Sequence, residues 1–188
     1  MLLIQIRLRK LVLKIISESG DDPYRDGLKL TPKRVSNLFD KMLCGYSLSL
    51  EEVVKGSLFD TLLDDMIVIK DIEFHSLCEH DLTPFFGSVH VGYIPAGKII
   101  GLSKIPKVIE IFARRMQVQE TLTSQISDAL DSTISPQGLG IVIEAKHTCS
   151  IIRSDNFSSS NLITSSMHGS FRSNSKTRQE FLSHINIK

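Results

Sequence analysis

The stretch that most restricts the fold is LGIVIEAKHTC, residues 139–149, whose apolar and β-branched side chains are typical of a strand. Side chains alternate between the two faces of a strand, so every second residue shares one face. The residues that share it are Ile141, Ile143, Ala145, His147 and Cys149. The pattern therefore predicts that an imidazole and a thiol lie side by side.

Two further stretches predict strands. Residues 66–77, MIVIKDIEFHSL, form a short β-branched run that ends at the polar cluster Cys78-Glu79-His80-Asp81. Residues 88–103, SVHVGYIPAGKIIGLS, contain two apolar runs around a Pro-Ala-Gly turn, which indicates a hairpin. We therefore expect the cluster at a strand end.

Helical periodicity marks the segments between and around these strands. Residues 2–17 predict an amphipathic helix, and a second helix follows in LTPKRVSNLFDKML, with Thr31 as its cap and Pro32 in its first turn. Ser103 is expected to cap a third helix, and a fourth ends near residue 135. The Ser-rich stretch from residue 154 reads as a loop or irregular edge strand, before a short last helix around TRQEFLSHI.

Length and composition favour a single folded unit. The chain has 188 residues, enough for one sizeable core, and we expect an N-terminal helical segment at residues 1–50 and an α+β domain at residues 51–188. Lys and Arg number 22 against 21 Asp and Glu, with no long basic run, so a nucleic-acid partner is not expected.

The N-terminal residues and the cysteines indicate in which cellular compartment the protein is expected. Arg7, Arg9, Lys10 and Lys14 interrupt the apolar residues of the first helix, which argues against a signal peptide or a membrane helix. The three cysteines form no disulfide framework, so a reducing cytoplasm is the expected location.

Cys78, Asp81 and Cys149 are candidate metal ligands. A catalytic zinc takes three protein ligands from thiolate, imidazole and carboxylate groups and keeps a fourth position open. A lone cysteine is more often a small buried hydrophobe, so composition leaves the metal site and a plain strand end as equal alternatives. The chain has no Cys-x-x-Cys pair and no His-x-Glu motif, which disfavours a zinc finger and a zinc nucleobase deaminase.

Other side chains suit proton transfer and anion binding. His80 and His147 can act as acid or base near neutral pH, although an interior hydrogen bond is the simpler role for either one. Ser103 and Lys104, at a predicted helix N-terminus, would suit a phosphate group, with Lys107 and Arg153 as further cations. For any single Lys or Arg, a solvated surface charge is the simpler role.

Seven stretches form a recognisable pattern, in order along the chain and over most of it from about residue 20 onwards. They are DDPYRDGLKLTPKRV, CEHDLTPFFG, VGYIP, IIGLSK, FARRMQVQETLT, EAKHTC and RQEFL. Together they resemble one family, GTP cyclohydrolase I. The resemblance implies a T-fold, in which an antiparallel sheet has helices packed on one face and the sheets of several subunits join into a ring. It also implies a homodecamer of two pentamers with active sites between subunits.

The resemblance also implies roles for individual residues. Cys78 and Cys149 match two zinc ligands, and Asp81 occupies the place of the third. His80 and His147 match the catalytic histidines. Positions that match substrate contacts are Gln119 and Glu120 for the guanine base and Ser103, Lys104, Lys107, Arg153 and Arg34 for the triphosphate.

The implied reaction is zinc-dependent opening of the guanine imidazole ring of GTP at C8. It releases formate and gives 7,8-dihydroneopterin triphosphate, the first step of tetrahydrofolate and pterin biosynthesis. Neither nucleic acid nor membrane is an expected partner.

Asp81 is where the chain departs from the resemblance, because the family pattern reads Cys-Glu-His-His and this chain reads Cys-Glu-His-Asp. A carboxylate can bind zinc at a similar distance, but with two thiolates it leaves a net charge of minus one. A more negative site should hold the proton of its zinc-bound water more tightly, so we expect slower turnover near neutral pH than the histidine pattern gives. Alternatively, His80 would rotate to bind the metal in place of Asp81. The alternative function is a weak or inactive paralogue that binds a guanine nucleotide or has a structural role.

Overall fold

The computed structural model describes residues 2–153 and 161–186. Its helices are α1 (Leu2–Glu18), α2 (Thr31–Met42), α3 (Leu50–Val54), α4 (Lys104–Ala113), α5 (Gln119–Ile134), α6 (Thr148–Arg153), α7 (Gly169–Ser173) and α8 (Ser175–His184). Its strands are β1 (Leu58–Asp60), β2 (Ile67–Cys78), β3 (Pro84–Ile94), β4 (Lys98–Ile100), β5 (Met116–Gln117), β6 (Gly138–His147) and β7 (Leu162–His168). Within these described ranges, no helix has both the length and the apolar character needed to cross a membrane.

The chain forms two compact units, Met1–Cys44 and Gly45–Lys188. In the first unit α1 packs on α2, and both helices were predicted. Thr31 is the first residue of α2 and not its cap, so that prediction was wrong. The chain already turns before Thr31, whose N–H donates to the carbonyl of Leu28. Leu30 therefore occupies the capping position, and it makes no side-chain cap bond.

The second unit is built on a five-stranded sheet with strand order β5-β2-β3-β6-β7. All neighbours are antiparallel except β5, which runs parallel to the end of β2. The register of β3 on β6 runs from Phe85 opposite His147 to Ile94 opposite Gly138. This is the α+β architecture with an antiparallel-rich sheet that the sequence predicted.

The hairpin predicted around residues 95–97 does not form, although both of its strands do. β4 pairs with β1 in a separate two-stranded sheet, with Ile99 opposite Phe59. β3 has no open edge to offer, because β2 pairs along one side and β6 along the other. The turn at Gly97 therefore carries the chain away from the main sheet.

Helices cover both faces of the main sheet. α4 and α5 pack on one face, where Val89, Val91 and Ile141 are fully buried. On the opposite face, the short helices α7 and α8 place Phe171 and Phe181 against β3 and β6. Helices were expected on one face only, and that expectation was wrong, because Gly92 and Gly140 leave room on the other face for the rings of α7 and α8.

Two glycines make room for these aromatic rings. Gly92 of β3 lies opposite Gly140 of β6, and both rings pack over the pair. A Cβ atom at Gly140 would lie 2.7 Å from Cδ1 of Phe171, and one at Gly92 would lie 2.5 Å from Cδ2 of Phe181. Both distances are too short for carbon atoms, so only glycine allows the helices to dock here.

Replacing Phe181 should therefore destabilise the second unit. The ring is fully buried, and we expect Phe181→Ala to lower the free energy of unfolding by roughly 3–5 kcal/mol, since no side chain can refill the space over the glycines. Phe181→Leu, which keeps most of the volume, should cost less. Chemical denaturation at one fixed protein concentration would measure both, and equal losses would contradict this packing account.

Candidate metal centre and active site

A tight turn between β2 and β3 creates the site. The N–H of Cys78 donates to the carbonyl of Thr83 at 2.8 Å, and the N–H of Leu82 donates to the carbonyl of Cys78 at 2.9 Å. Leu82 adopts a left-handed conformation, with φ of 58°, which an L-residue seldom takes. The reversal brings Asp81 back beside Cys78.

Cys149 reaches the same place from β6, but not on a strand as predicted. β6 ends at His147, and Thr148 begins α6, so Cys149 lies in the first turn of a short helix. One ligand atom each from Cys78, Asp81 and Cys149 lies within 4.8 Å of the others. The three predicted metal ligands therefore converge, even though the strand continuation was wrong.

This set of donors fits a zinc ion. Two thiols and a carboxylate are ligands that zinc accepts, and the ligand atoms around one tetrahedral zinc lie about 3.5–3.8 Å apart. The observed spacing needs only a small contraction to reach that value. Cys78 is buried and Asp81 and Cys149 are half-buried, which leaves one side of the cluster accessible.

Asp81 contacts Thr83, Arg153 and the Cys78 thiol. Its Oδ1 accepts hydrogen bonds from the Thr83 hydroxyl at 2.7 Å and from the Thr83 backbone N–H at 3.2 Å. Its Oδ2 lies 3.0 Å from Nη2 of Arg153. The Thr83 hydroxyl is the main cause that lowers the pKa of Asp81, and the charge of Arg153 adds to it. Asp81 is therefore a carboxylate at neutral pH.

The pKa of Cys78 is shifted in the opposite direction from that of Asp81. Burial raises the pKa of its thiol, and the nearby Cys149 and Asp81 raise it further. Its Sγ also lies 3.5 Å from Nδ1 of His80, an exposed side chain at the mouth of the cluster. A metal that binds here must therefore displace the proton of the Cys78 thiol. The imidazole of His80 lies beside that sulfur and could receive the proton.

His147 occupies a separate, more enclosed position. Its ring stacks on Phe85 with centroids 4.5 Å apart and planes 9° from parallel. Its Nε2 lies 2.8 Å from Oε1 of Gln119. Burial lowers the pKa of His147, and the carboxylate of Glu120 only partly opposes this. The imidazole is therefore neutral at neutral pH.

Gln119 determines which nitrogen of that imidazole carries the proton. Its fully buried amide nitrogen lies 3.1 Å from the carbonyl oxygen of Ile143 and 3.0 Å from that of Leu162. Carbonyl oxygens only accept, so this end of the amide must be the NH₂ group. The oxygen end then faces His147, where it can only accept a hydrogen bond from Nε2–H. Neutral His147 therefore carries Nε2–H and leaves Nδ1 as the acceptor.

The remaining predicted residues lie on other elements. Glu120 is exposed in the first turn of α5. Lys104 begins α4, where its Nζ donates to the carbonyl of Val53 at 2.7 Å, and Lys107 is exposed one turn later. Ser103 occupies the N-cap position of α4, as predicted, although its side chain makes no cap hydrogen bond. Arg34 lies on α2, in the first unit.

Sequence reasoning missed two residues of the site. Thr83 holds Asp81, and Phe85 stacks on His147. The spacing Asp-x-Thr is a known turn signal, because a short side chain can bond backbone two residues away. Phe85 carried no such signal, since its contact depends on the register of β3 against β6.

Comparisons with known sequences match this chain over almost its whole length. The family model described as GTP cyclohydrolase I matches residues 8–186. Proteins named GTP cyclohydrolase 1 from Methylococcus capsulatus and Leptospira biflexa are 48% and 46% identical over 175 residues, which is 93% of this chain and 95% and 96% of theirs. One from Campylobacter jejuni is 46% identical over 94% of this chain and 92% of its own. The crystal structure of an apo archaeosine synthase QueF-Like aligns with 55% of this chain and 93% of its own, at a TM-score of 0.47 and 15% identity.

The orientation of Gln119 leads to a testable expectation for His147. In the unsubstituted protein, ¹⁵N NMR of the imidazoles should show His147 as the Nε2–H tautomer, with His147→Gln identifying its signals. Gln119→Met, which removes the acceptor, should let both tautomers appear. A dominant Nδ1–H form in the unsubstituted protein would contradict the assigned amide orientation.

Proposed function

This chain belongs to the GTP cyclohydrolase I family, and we propose that it opens the guanine imidazole ring of GTP at C8 by zinc-dependent hydrolysis. The products are formate and, after rearrangement, 7,8-dihydroneopterin triphosphate. The observation that carries the proposal is the convergence of Cys78, Asp81 and Cys149 beside His80. His147 lies on the same sheet, at the end of the strand that leads to Cys149.

Cys78, Asp81 and Cys149 would hold the zinc. A zinc ion with three protein ligands supplies a Lewis acid that activates water for attack on C8. Two thiolates and a carboxylate exceed the charge of the ion by one, but Arg153 beside Asp81 returns the sum of the group to zero. Because the Arg153 side chain is 68% exposed, water and salt screen this ion pair, and it offsets only part of the excess negative charge on an aspartate ligand.

The two histidines are suited to different proton transfers. His147 presents an unprotonated Nδ1, so it is prepared to accept a proton or to hold a donor group of the purine. His80 is exposed and next to the Cys78 sulfur, so it can exchange protons with water at the mouth of the site. We propose that His147 acts on the enclosed side of the base and His80 on the open side.

Substrate binding would use the elements around the cluster. Glu120, exposed at the start of α5, can accept from the N–H groups of the guanine edge, and Gln119 supports that end of the site through His147. Ser103, Lys104 and Lys107 lie at the N-terminal end of α4, where a helix attracts phosphate. Lys104 would exchange its bond to Val53 for a phosphate oxygen. Arg153 would add a further triphosphate contact. For Arg34, which lies in the first unit, a triphosphate contact stays a prediction.

Assembly into a decamer of two pentamers is part of the proposal. β7 is an edge strand of the main sheet, and β5 covers only the last two residues of β2 on the opposite edge. Strand edges of this kind accept further strands, which supports sheets joined between subunits. Cys78 and Cys149 are free thiols, so a reducing compartment such as the cytoplasm would suit the enzyme.

Incubation of the purified protein with GTP and zinc is the direct test. Formate should appear, together with a pterin that becomes fluorescent after oxidation. Asp81→His separates this function from that of a weak paralogue, since a gain in zinc binding or turnover would show that the aspartate impairs the site. We expect no gain, because Asp81 already has its partners in place. GTP binding without product over a range of pH and metals would refute the proposed function.

Substitution of each histidine should separate chemistry from binding. His147→Gln and His80→Gln should each lower kcat by about 10²–10⁴-fold, the usual contribution of a proton-transfer group, with a smaller change in KM. His184→Gln, an exposed position on α8, is the matched control and should keep its activity. If either site variant changed only KM, that histidine would not be a proton-transfer group.

A further inference from the structure

The bonds of Asp81 leave one way for it to bind a metal. A carboxylate offers about four lone-pair positions, two on each oxygen. Oδ1 receives two hydrogen bonds from Thr83, and Oδ2 receives one contact from Arg153. The Cys78 thiol also bonds to this carboxylate, but a metal that replaces the thiol proton removes that bond. The position left for the metal is therefore on Oδ2. Asp81 would therefore bind through one oxygen, as a histidine binds through one nitrogen.

Thr83 holds the carboxylate more firmly than Arg153 does. Thr83 is half-buried and binds through both its hydroxyl and its backbone, from a turn closed by the Cys78–Thr83 hydrogen bond. The Arg153 side chain is 68% exposed, and an ion pair so exposed is weakened by water and salt. The orientation of Asp81 towards the sulfur atoms thus depends mainly on Thr83.

We propose that Thr83 is a positioning residue that makes Asp81 the third ligand of the metal centre, by fixing Oδ1 so that Oδ2 faces Cys78 and Cys149. The inference rests on the metal centre of the proposed function. Groups that orient a metal ligand typically change metal affinity by about 10–100-fold when removed. Thr83 would do for the aspartate what a hydrogen-bond partner does for a ligating histidine.

Zinc affinity is the primary test, because it does not depend on turnover. Competition with a chromophoric chelator should show zinc binding about 10–100-fold weaker in Thr83→Val, which removes the hydroxyl at nearly constant volume. Thr83→Ser keeps the hydroxyl and should bind zinc within about twofold of the unsubstituted protein. Thermal unfolding of the metal-free variants would show whether the valine change alters the fold.

Cobalt binding gives a second signal. Co²⁺ bound by two thiolates and a carboxylate absorbs in the visible and near-ultraviolet ranges, and its spectrum follows ligand geometry. We expect Thr83→Val to alter that spectrum and Thr83→Ser to preserve it. An unchanged spectrum and affinity in Thr83→Val would overturn the proposal.

A double substitution separates positioning from a general structural effect. In an Asp81→His background there is no carboxylate for Thr83 to hold, so Thr83→Val should change zinc affinity by no more than about twofold. The same loss in both backgrounds would overturn the proposal. Absence of zinc binding by the unsubstituted protein would overturn the metal centre and this inference with it. A protein whose zinc affinity falls in Thr83→Val but which forms no product would contradict only the proposed reaction.

Discussion

The pairing of β3 with β6 is the constraint on which the rest of the site depends. Because Phe85 lies opposite His147, the imidazole stacks on a buried ring at the end of the sheet. The chain leaves β6 at the same point and enters α6, which delivers Cys149 to Cys78. A shift of one residue would turn His147 to the other face and separate the two sulfur atoms.

Much of this could be predicted because the signals were local. The helices α1, α4 and α5 and the strands β2, β3 and β6 follow from periodicity in their own residues. The predictions that failed concern which strands pair with each other. Nothing local to residues 98–100 indicated that β3 was already paired on both sides and that β4 would join β1.

The site shows the same division between local and distant information. Cys78 and Asp81 are close in the chain and were predicted as a pair, whereas the place of Cys149 required knowing that β6 ends at His147. The role of Gln119 could not be predicted, since it depends on carbonyl groups of Ile143 and Leu162 in two other strands. A buried amide with fixed partners is stiff, and this stiffness is what an imidazole needs to keep one tautomer.

Phe171 and Phe181, which pack over Gly92 and Gly140, are synthesised after both of the strands that they cover. β3 and β6 leave the ribosome before either ring does, so for a time the paired strands would present an unfilled apolar hollow at Gly92 and Gly140. The rings that fill it belong to the last two helices of the described chain. One face of the sheet that carries the site is therefore covered late in synthesis, by residues that lie outside the candidate site.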